Sequence, residues 1–286
     1  MSMKSSTWLR DQHARDVHSQ FGEDGIIEYV LGQLPETDRW CVEFGAWDGK
    51  FLSNTFRLIE QCDYRAVLIE GNEDRVANLR RLKSEFPRIE PLHRYVDTGD
   101  NRLDLLLADY PIPKDFDFLS IDIDGNDFHV WKAVVEHRPK IVCIEFNPSV
   151  PNAVSFVQEP APGVMQGCSL RALLGLGLKK GYQPVAVTDV NVIFVDGEYF
   201  DRFDIPDTSP EALRPDEQDY VTYFYHGYDG TVLMEGRQRL VWHRVGYRSR
   251  DIQLLPKFLR RFPNTMSRPR RLLLRTYYFL RRLGIF

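Results

Sequence analysis

Three short stretches gather acidic and amide side chains in positions suited to chemistry. Val42-Glu43-Phe44-Gly45-Ala46-Trp47-Asp48-Gly49 ends an apolar run in a carboxylate and then opens a loop held between two glycines. Phe118-Leu119-Ser120-Ile121-Asp122-Ile123-Asp124-Gly125-Asn126-Asp127 puts three carboxylates just beyond a second apolar run. Ile144-Glu145-Phe146-Asn147-Pro148 does the same with Glu145 and Asn147. Alternation along a strand puts Asp122 and Asp124 on one side and Ile121 and Ile123 on the other. Carboxylates crowded at a buried strand end are costly unless they meet cations or N–H donors. Three readings compete for them. They orient the cationic part of a ligand and the substrate, they bind a divalent metal such as Mg²⁺ with Glu145 or Asn147, or they cap the helix beginning near Asn126. The spacing is superficially like a calcium loop but lacks the later Glu. Glu145 is a candidate base for a substrate hydroxyl, with Asp124 and His129 beside it.

The elements that must hold these residues alternate regularly. Apolar runs at Cys41–Phe44, Ala66–Ile69, Ile89–Val96, Phe116–Ile123 and Ile141–Phe146 read as strands buried on both faces. Helical patterns opened by Asn72, Asn101 and Asn126 lie between them, since Asn accepts a bond from an unpaired N–H at a helix start. The repeated βαβ rhythm implies a doubly wound α/β fold with helices on both sheet faces. Residues 148–168, with Pro148, Pro151, Pro160 and Pro162, form a long loop of the kind that serves as a lid. Ser169 caps the next helix. Pro184–Val187 and Val192–Val195 are too close for a crossover and read as an antiparallel pair.

Acidic residues at successive strand ends suggest a ligand. Gly45 and Gly49 permit a tight turn and close approach, and Glu70 stands where a doubly wound sheet reaches a ribose diol. The loop is not GxGxxG, and its acidic Glu43 and Asp48 would repel a pyrophosphate. A ligand with adenosine but no phosphate fits better. S-adenosylmethionine, with its cationic sulfonium and amino groups, is such a ligand. The plain alternative is that both glycines are ordinary βα turn residues.

Glu43 to Gly49, Glu70, Asp97 and Asp122 to Asp127 resemble the ordered motifs of class I S-adenosylmethionine-dependent methyltransferases. More narrowly, Ser19-Gln20-Phe21-Gly22-Glu23-Asp24, Val42-Glu43-Phe44-Gly45, Ser120-Ile121-Asp122-Ile123-Asp124-Gly125 and Ile144-Glu145-Phe146-Asn147 resemble bacterial FkbM-like methyltransferase-domain proteins, over roughly residues 19–196. The resemblance implies a Rossmann-like, seven-stranded, mostly parallel sheet with an antiparallel last strand. It implies that Gly45 lies beside the cofactor, Glu70 on its ribose and Asp97 near the adenine, and that Gln20 and Phe21 close over it. Glu43, Asp48, Gly49, Asn72 and Asp122 complete the expected cofactor set. The implied activity is O-methylation of a small-molecule or sugar hydroxyl, in secondary-metabolite or polysaccharide modification. Ala46, Trp47 and Asp48 depart from the usual glycine-rich loop, so a non-catalytic nucleoside-binding module, or another transferase on the same fold, stays open.

The chain has 286 residues, 43% hydrophobic and 27% charged, which speaks against disorder. A formal net charge of −4 argues against a whole-surface nucleic-acid binder, and no Asn/Asp-Pro-Pro-aromatic motif for base methylation is present. Four cysteines without a CxxC pair, together with a start that does not resemble a signal peptide, make a reducing cytoplasmic location the default expectation. The expected organisation is an N-terminal helical cap (1–36), a cofactor-binding domain (37–199) and a substrate-side or oligomerisation extension (200–286). In that extension His226, within an aromatic run, is a further candidate base, and a hairpin is expected around Glu235-Gly236. From Arg250 onward ten basic residues face one acidic residue, and Arg268–Phe286 is basic and amphipathic. Packing on its own domain or on a second subunit is the preferred reading of this end. Contact with an anionic membrane surface or RNA is the alternative.

Overall fold

The computed structural model describes residues 4–284. The first three residues of the chain start and the last two of the basic C-terminal stretch lie outside the described residues. The chain divides into two compact units, Met1–Pro215 and Asp216–Phe286.

The first unit runs α1 (Trp8–His13), α2 (Glu23–Gly32), β1 (Trp40–Phe44), α3 (Phe56–Gln61), β2 (Arg65–Glu70), α4 (Glu73–Glu85), β3 (Ile89–His93), α5 (Leu103–Leu106), β4 (Phe118–Ile121), α6 (Asp127–Ala133), β5 (Ile141–Glu145), α7 (Leu170–Lys179), β6 (Tyr182–Val187), β7 (Asn191–Asp196) and α8 (Pro210–Leu213). The seven strands form one sheet in the order β3-β2-β1-β4-β5-β7-β6. The pairs from β3 to β5 are parallel, and β7 is antiparallel to both β5 and β6. The strand order reverses between β1 and β4, and that switch opens a crevice at their carboxyl ends.

Four of the five apolar runs form largely buried strands as read, while the third, β3, ends at His93 and is half-buried beyond Ile89 because it lies at the sheet edge. Cys41, Val42, Ala66, Val67, Leu68, Ile69, Ile121 and Ile141 are fully buried, each such side chain adding about 1.5–3 kcal/mol for the larger aliphatics. The other end of the sheet is tied by a polar clamp. The fully buried Asp117 accepts from Lys140 Nζ (2.7 Å), Tyr64 Oη (3.0 Å) and the N–H groups of Asp38 (3.1 Å) and Arg39 (2.9 Å). Lys140 also reaches Asp38 at 3.0 Å, so one lysine fixes the amino ends of β1, β4 and β5.

Helix starts follow the sequence in part. Asn72 Oδ1 accepts from Arg75 N–H (3.2 Å) and Ser169 Oγ from Ala172 N–H (3.2 Å), both as capping residues. Asn101 does not open α5, whose N-cap is Arg102. Asn126 holds the N-cap position of α6 but makes no capping bond. The carboxylate of Asp127 folds back instead, onto Ile123 N–H (2.9 Å) and Gly125 N–H (2.8 Å).

In the second unit, β8 (Thr222–His226) pairs antiparallel with β9 (Val232–Gly236), and α9 (Arg268–Arg282) follows. This corrects the expected hairpin. Glu235 and Gly236 end a strand rather than turn a corner, because Gly227 and Gly230 close the tight connection on the other side. No helix among the described residues is long and apolar enough to cross a membrane.

Candidate active site

The register places polar residues in two rows across one sheet face. Glu43 stands opposite Ser120, and Ser120 opposite Cys143. Two residues further along come Gly45, Asp122 and Glu145, with Glu145 opposite Asn191.

The first row is structural. Glu43 is buried and accepts from Ser53 Oγ (2.6 Å), Thr55 Oγ1 (2.7 Å) and Asn54 N–H (2.9 Å). Asn54 Nδ2 donates to Ser120 Oγ at 3.1 Å. These bonds bend the loop after β1 over the sheet and deliver it to α3. Burial pushes the Glu43 carboxyl up, against those donors.

The second row is the candidate site. One carboxylate oxygen from each of Asp122, Asp124 and Glu145 lies within 4.8 Å of the other two. Asp122 and Glu145 share a hydrogen bond. Desolvation first, then the charges of Asp127, Asp124 and Glu43, push the Asp122 carboxyl up to about 7, although the residue as a whole is exposed to solvent, which screens part of the effect. Desolvation and the Asp122 charge push Glu145 well up too. Both shifts favour the protonated form of the pair relative to isolated carboxyls. Asp124 is brought to the cluster by a left-handed backbone (φ 57°), a strained turn for a residue with a side chain.

The glycine-bordered loop meets the cluster directly. Gly45 has φ 78°, and a Cβ there would lie 1.6 Å from the Asp122 carbonyl oxygen. Its lack of a side chain is thus required by the neighbouring strand, whatever ligand approaches. Glu70 accepts from Trp47 N–H (2.9 Å) and Asn72 N–H (2.8 Å), so it fastens the loops after β1 and β2 together. Asp48 accepts from Lys50 and Phe51 N–H groups and so closes the turn that contains Gly49. Trp47 stays half exposed under the Arg75 guanidinium, 3.3 Å above its ring. Asp97, exposed, caps its own turn through the N–H groups of Gly99 and Asn101.

The long loop forms a wall beside the cluster. Gln158, 2% exposed, bonds Val164 O, Asn126 Oδ1 and the N–H groups of Gln166 and Gly167. His129 Nε2 meets Gln158 O at 2.8 Å, so the histidine anchors this wall. Asn147 Nδ2 donates to Gln166 O (2.9 Å), and its Oδ1 accepts from Ser149 N–H (2.9 Å). His226 lies on β8 of the second unit, exposed.

Gln20 is exposed and Phe21 half-buried, and the work of their segment falls to the residues that follow. Asp24 Oδ2 gathers the N–H groups of Val17, His18 and Ser19. Glu23, fully buried, accepts from Phe21 N–H, Thr188 Oγ1 and Asn191 Nδ2. Sequence reasoning missed Glu23, Asn54, Ser120, Gln158 and Asn191 as site neighbours. Glu23 and Ser120 lay within the motifs at residues 19–24 and 118–127, while Asn54, Gln158 and Asn191 carried no signal.

The strand order, with β7 alone reversed, is the sheet of the class I S-adenosylmethionine-dependent methyltransferase fold. The family model described as Methyltransferase FkbM domain matches residues 78–184, which hold Asp97, Asp122, Asp124, His129 and Glu145 but neither Gly45 nor Glu70. No curated protein matches the chain. Among solved structures, the chain is similar to the N-terminal domain of EvdMO1 determined in the presence of SAH and D-fucose, at 14% identity and a TM-score of 0.40 over 61% of this chain and 82% of that one. It is similar to a SAM dependent methyltransferase from Aquifex aeolicus at 10% identity and a TM-score of 0.38, over 65% and 94% of the two chains. It is similar also to the CMeT domain of the citrinin polyketide synthase at 11% identity and a TM-score of 0.41, over 61% and 51%.

Proposed function

We propose that the protein is an S-adenosylmethionine-dependent O-methyltransferase acting on the hydroxyl of a small molecule or sugar. The observation that carries this reading is the second polar row. A proton-sharing carboxylate pair at the ends of β4 and β5 abuts the Gly45 turn, at the switch point of the sheet. The donor set there is acidic, closely grouped and exposed to solvent at Asp122 and Asp124, so it suits a cationic ligand. When bound, S-adenosylmethionine supplies an electrophilic methyl on a sulfonium and a positive charge to these carboxylates.

The chain's own groups divide the remaining work. Glu70, fixed by two N–H donors, presents its remaining lone pairs to a ribose diol. Asp122 and Asp124 hold the cationic end. Glu145 takes the proton from an acceptor hydroxyl as the oxygen is methylated, once cofactor charge has emptied the pair of its own proton. The Gln158-pinned wall and exposed Trp47 border the space and limit water.

Calorimetric titration with S-adenosylmethionine, followed by an acceptor screen of sugars and phenols, tests the reading. Glu145→Gln is expected to lower turnover by about 10²-fold or more while cofactor affinity changes little. Binding without turnover across all acceptors favours the non-catalytic module. Failure of folded protein to bind the cofactor refutes the proposal. A second reading rests on the three converging oxygens, which also suit Mg²⁺. Turnover that rises with added Mg²⁺ and falls with chelator favours it.

A further inference from the structure

Charge is divided sharply between the two units. Asp216–Phe286 carries fourteen arginines and lysines against six acidic residues, in a chain whose total is −4. The concentration is greatest on α9, which has six arginines and no acidic residue. None of those arginines forms an ion pair among the described residues.

The same helix leaves its apolar side uncovered. None of its residues is buried. Its contacts within the unit run along one edge, where Tyr277 Oη and Arg281 Nη1 both donate to Leu254 O. The expected packing on its own unit is thus seen along that edge alone. Leu272, Thr276, Phe279 and Leu283 follow one another at spacings of four, three and four, which is one stripe of a helix. Leu272 is 65% exposed, Phe279 60% and Leu283 59%. Arg268, Arg275 and Arg282 run alongside that stripe at spacings of seven. Packed against the helix, the Lys257–Leu259 turn adds Phe258, also exposed, next to a further cation.

We propose that α9 lies flat on an anionic lipid bilayer. Its apolar stripe enters the boundary between headgroups and acyl chains, and the flanking arginines meet lipid phosphates. Both halves of the surface are then used at once. An apolar stripe gains area from water and the arginines gain anionic partners. RNA satisfies the arginines but leaves the stripe in water. A symmetric contact with α9 of a second copy covers the stripe but brings twelve arginines together. The helix, 15 residues long, lies on a membrane rather than across it.

Co-sedimentation of the full-length protein with vesicles tests this. The probes are phosphatidylcholine alone and phosphatidylcholine containing about 30% phosphatidylglycerol. Binding is expected to the anionic vesicles, with little to the neutral ones. Arg275→Gln with Arg282→Gln should weaken binding by roughly 25-fold, about fivefold per cation near the surface. Leu272→Ser with Phe279→Ser should weaken it by at least about tenfold. These side chains are exposed, so both variants should keep the parent's melting temperature. No binding by the parent overturns the proposal. So does a serine variant that binds like the parent, because arginines acting alone describe a nucleic-acid surface. A serine variant that turns a dimer into a monomer without vesicles, in a protein that ignores vesicles, overturns it in favour of a subunit interface.

Discussion

Cofactor binding should expel a proton from the Asp122–Glu145 pair, and the release can be measured without knowing the acceptor. Two charges at the cluster's outer separation of 4.8 Å repel by about 3.5 kcal/mol at an effective dielectric near 20. A pKa unit corresponds to about 1.4 kcal/mol, so this repulsion alone suffices to carry a carboxyl from its usual range toward neutrality, before solvent at the open edge screens part of it. That agrees with the Asp122 carboxyl being pushed up to about 7, and with the rise in Glu145. Free protein at pH near 7 is therefore expected to hold a proton on the pair. A sulfonium and an ammonium placed nearby favour the charged form of both carboxyls. The complex then binds fewer protons than its parts, and affinity must rise with pH through about 7. Calorimetric titration at neutral pH in phosphate and in Tris, whose ionisation enthalpies differ widely, should give enthalpies that differ by the equivalent of about one proton released. S-adenosylhomocysteine, which lacks the sulfonium charge, should release less. In Glu145→Gln the proton-sharing partner is gone, Asp122 ionises lower, and the buffer dependence should shrink. An enthalpy independent of buffer for the parent protein, with clear binding, would refute the argument that the crowded carboxyls await a cation.

Other expectations follow from particular contacts. Glu70→Ala removes the acceptor for Trp47 and Asn72 N–H groups as well as the ribose contact, so affinity for S-adenosylmethionine should fall by roughly 10- to 100-fold, with about 1–2 kcal/mol lost from stability. Equilibrium titration and urea melts separate the two, and unchanged affinity removes Glu70 from the ribose role. Lys140→Met strands the buried Asp117 without its cation and should cost about 3–5 kcal/mol in urea unfolding. Because partner carboxylates raise the Lys140 pKa against the opposing effect of burial, its contribution is complete below the ordinary lysine range and fades only as pH rises past the raised value. A loss below about 1 kcal/mol would show that the clamp adds little.

The strands were legible because parallel strands buried on both faces are nearly continuously apolar, as Ala66–Ile69 and Ile141–Ile144 are and Cys41–Phe44 is apart from Glu43. The antiparallel β6–β7 pair was legible from Thr188–Asn191, too short for a crossover. The placing of Asp122 beside Glu145 was visible because strand alternation has a fixed period, whereas Asp124 joins them through a left-handed turn beyond the end of β4. What stayed hidden depends on contacts far apart in sequence. Nothing local marks Glu23 as the partner of Thr188 and Asn191, or Gln158 as the pin of the loop over Asn126. The β8–β9 pairing escaped for a different reason. Both strands are largely exposed, so their composition carries no burial signal, and the Glu235-Gly236 dipeptide imitates a turn.

Gly45 shows how the two motifs become one device. In the sequence it reads as room for a ligand, yet in the structure the space a side chain would need is taken by the carbonyl of Asp122. Asp122 N–H in turn donates to Phe44 O at 3.3 Å, so the ends of β1 and β4 grip each other on both sides of the switch point. Movement of the Gly45 turn must then displace Asp122, and with it the proton shared with Glu145. Glu70 extends the same linkage to β2 through Trp47 N–H. A ligand that touches the loop therefore acts on the carboxylate pair through backbone contacts as well as through its charge. Substitution of Gly45 is accordingly expected to disturb the proton release described above even where the new side chain does not reach the ligand.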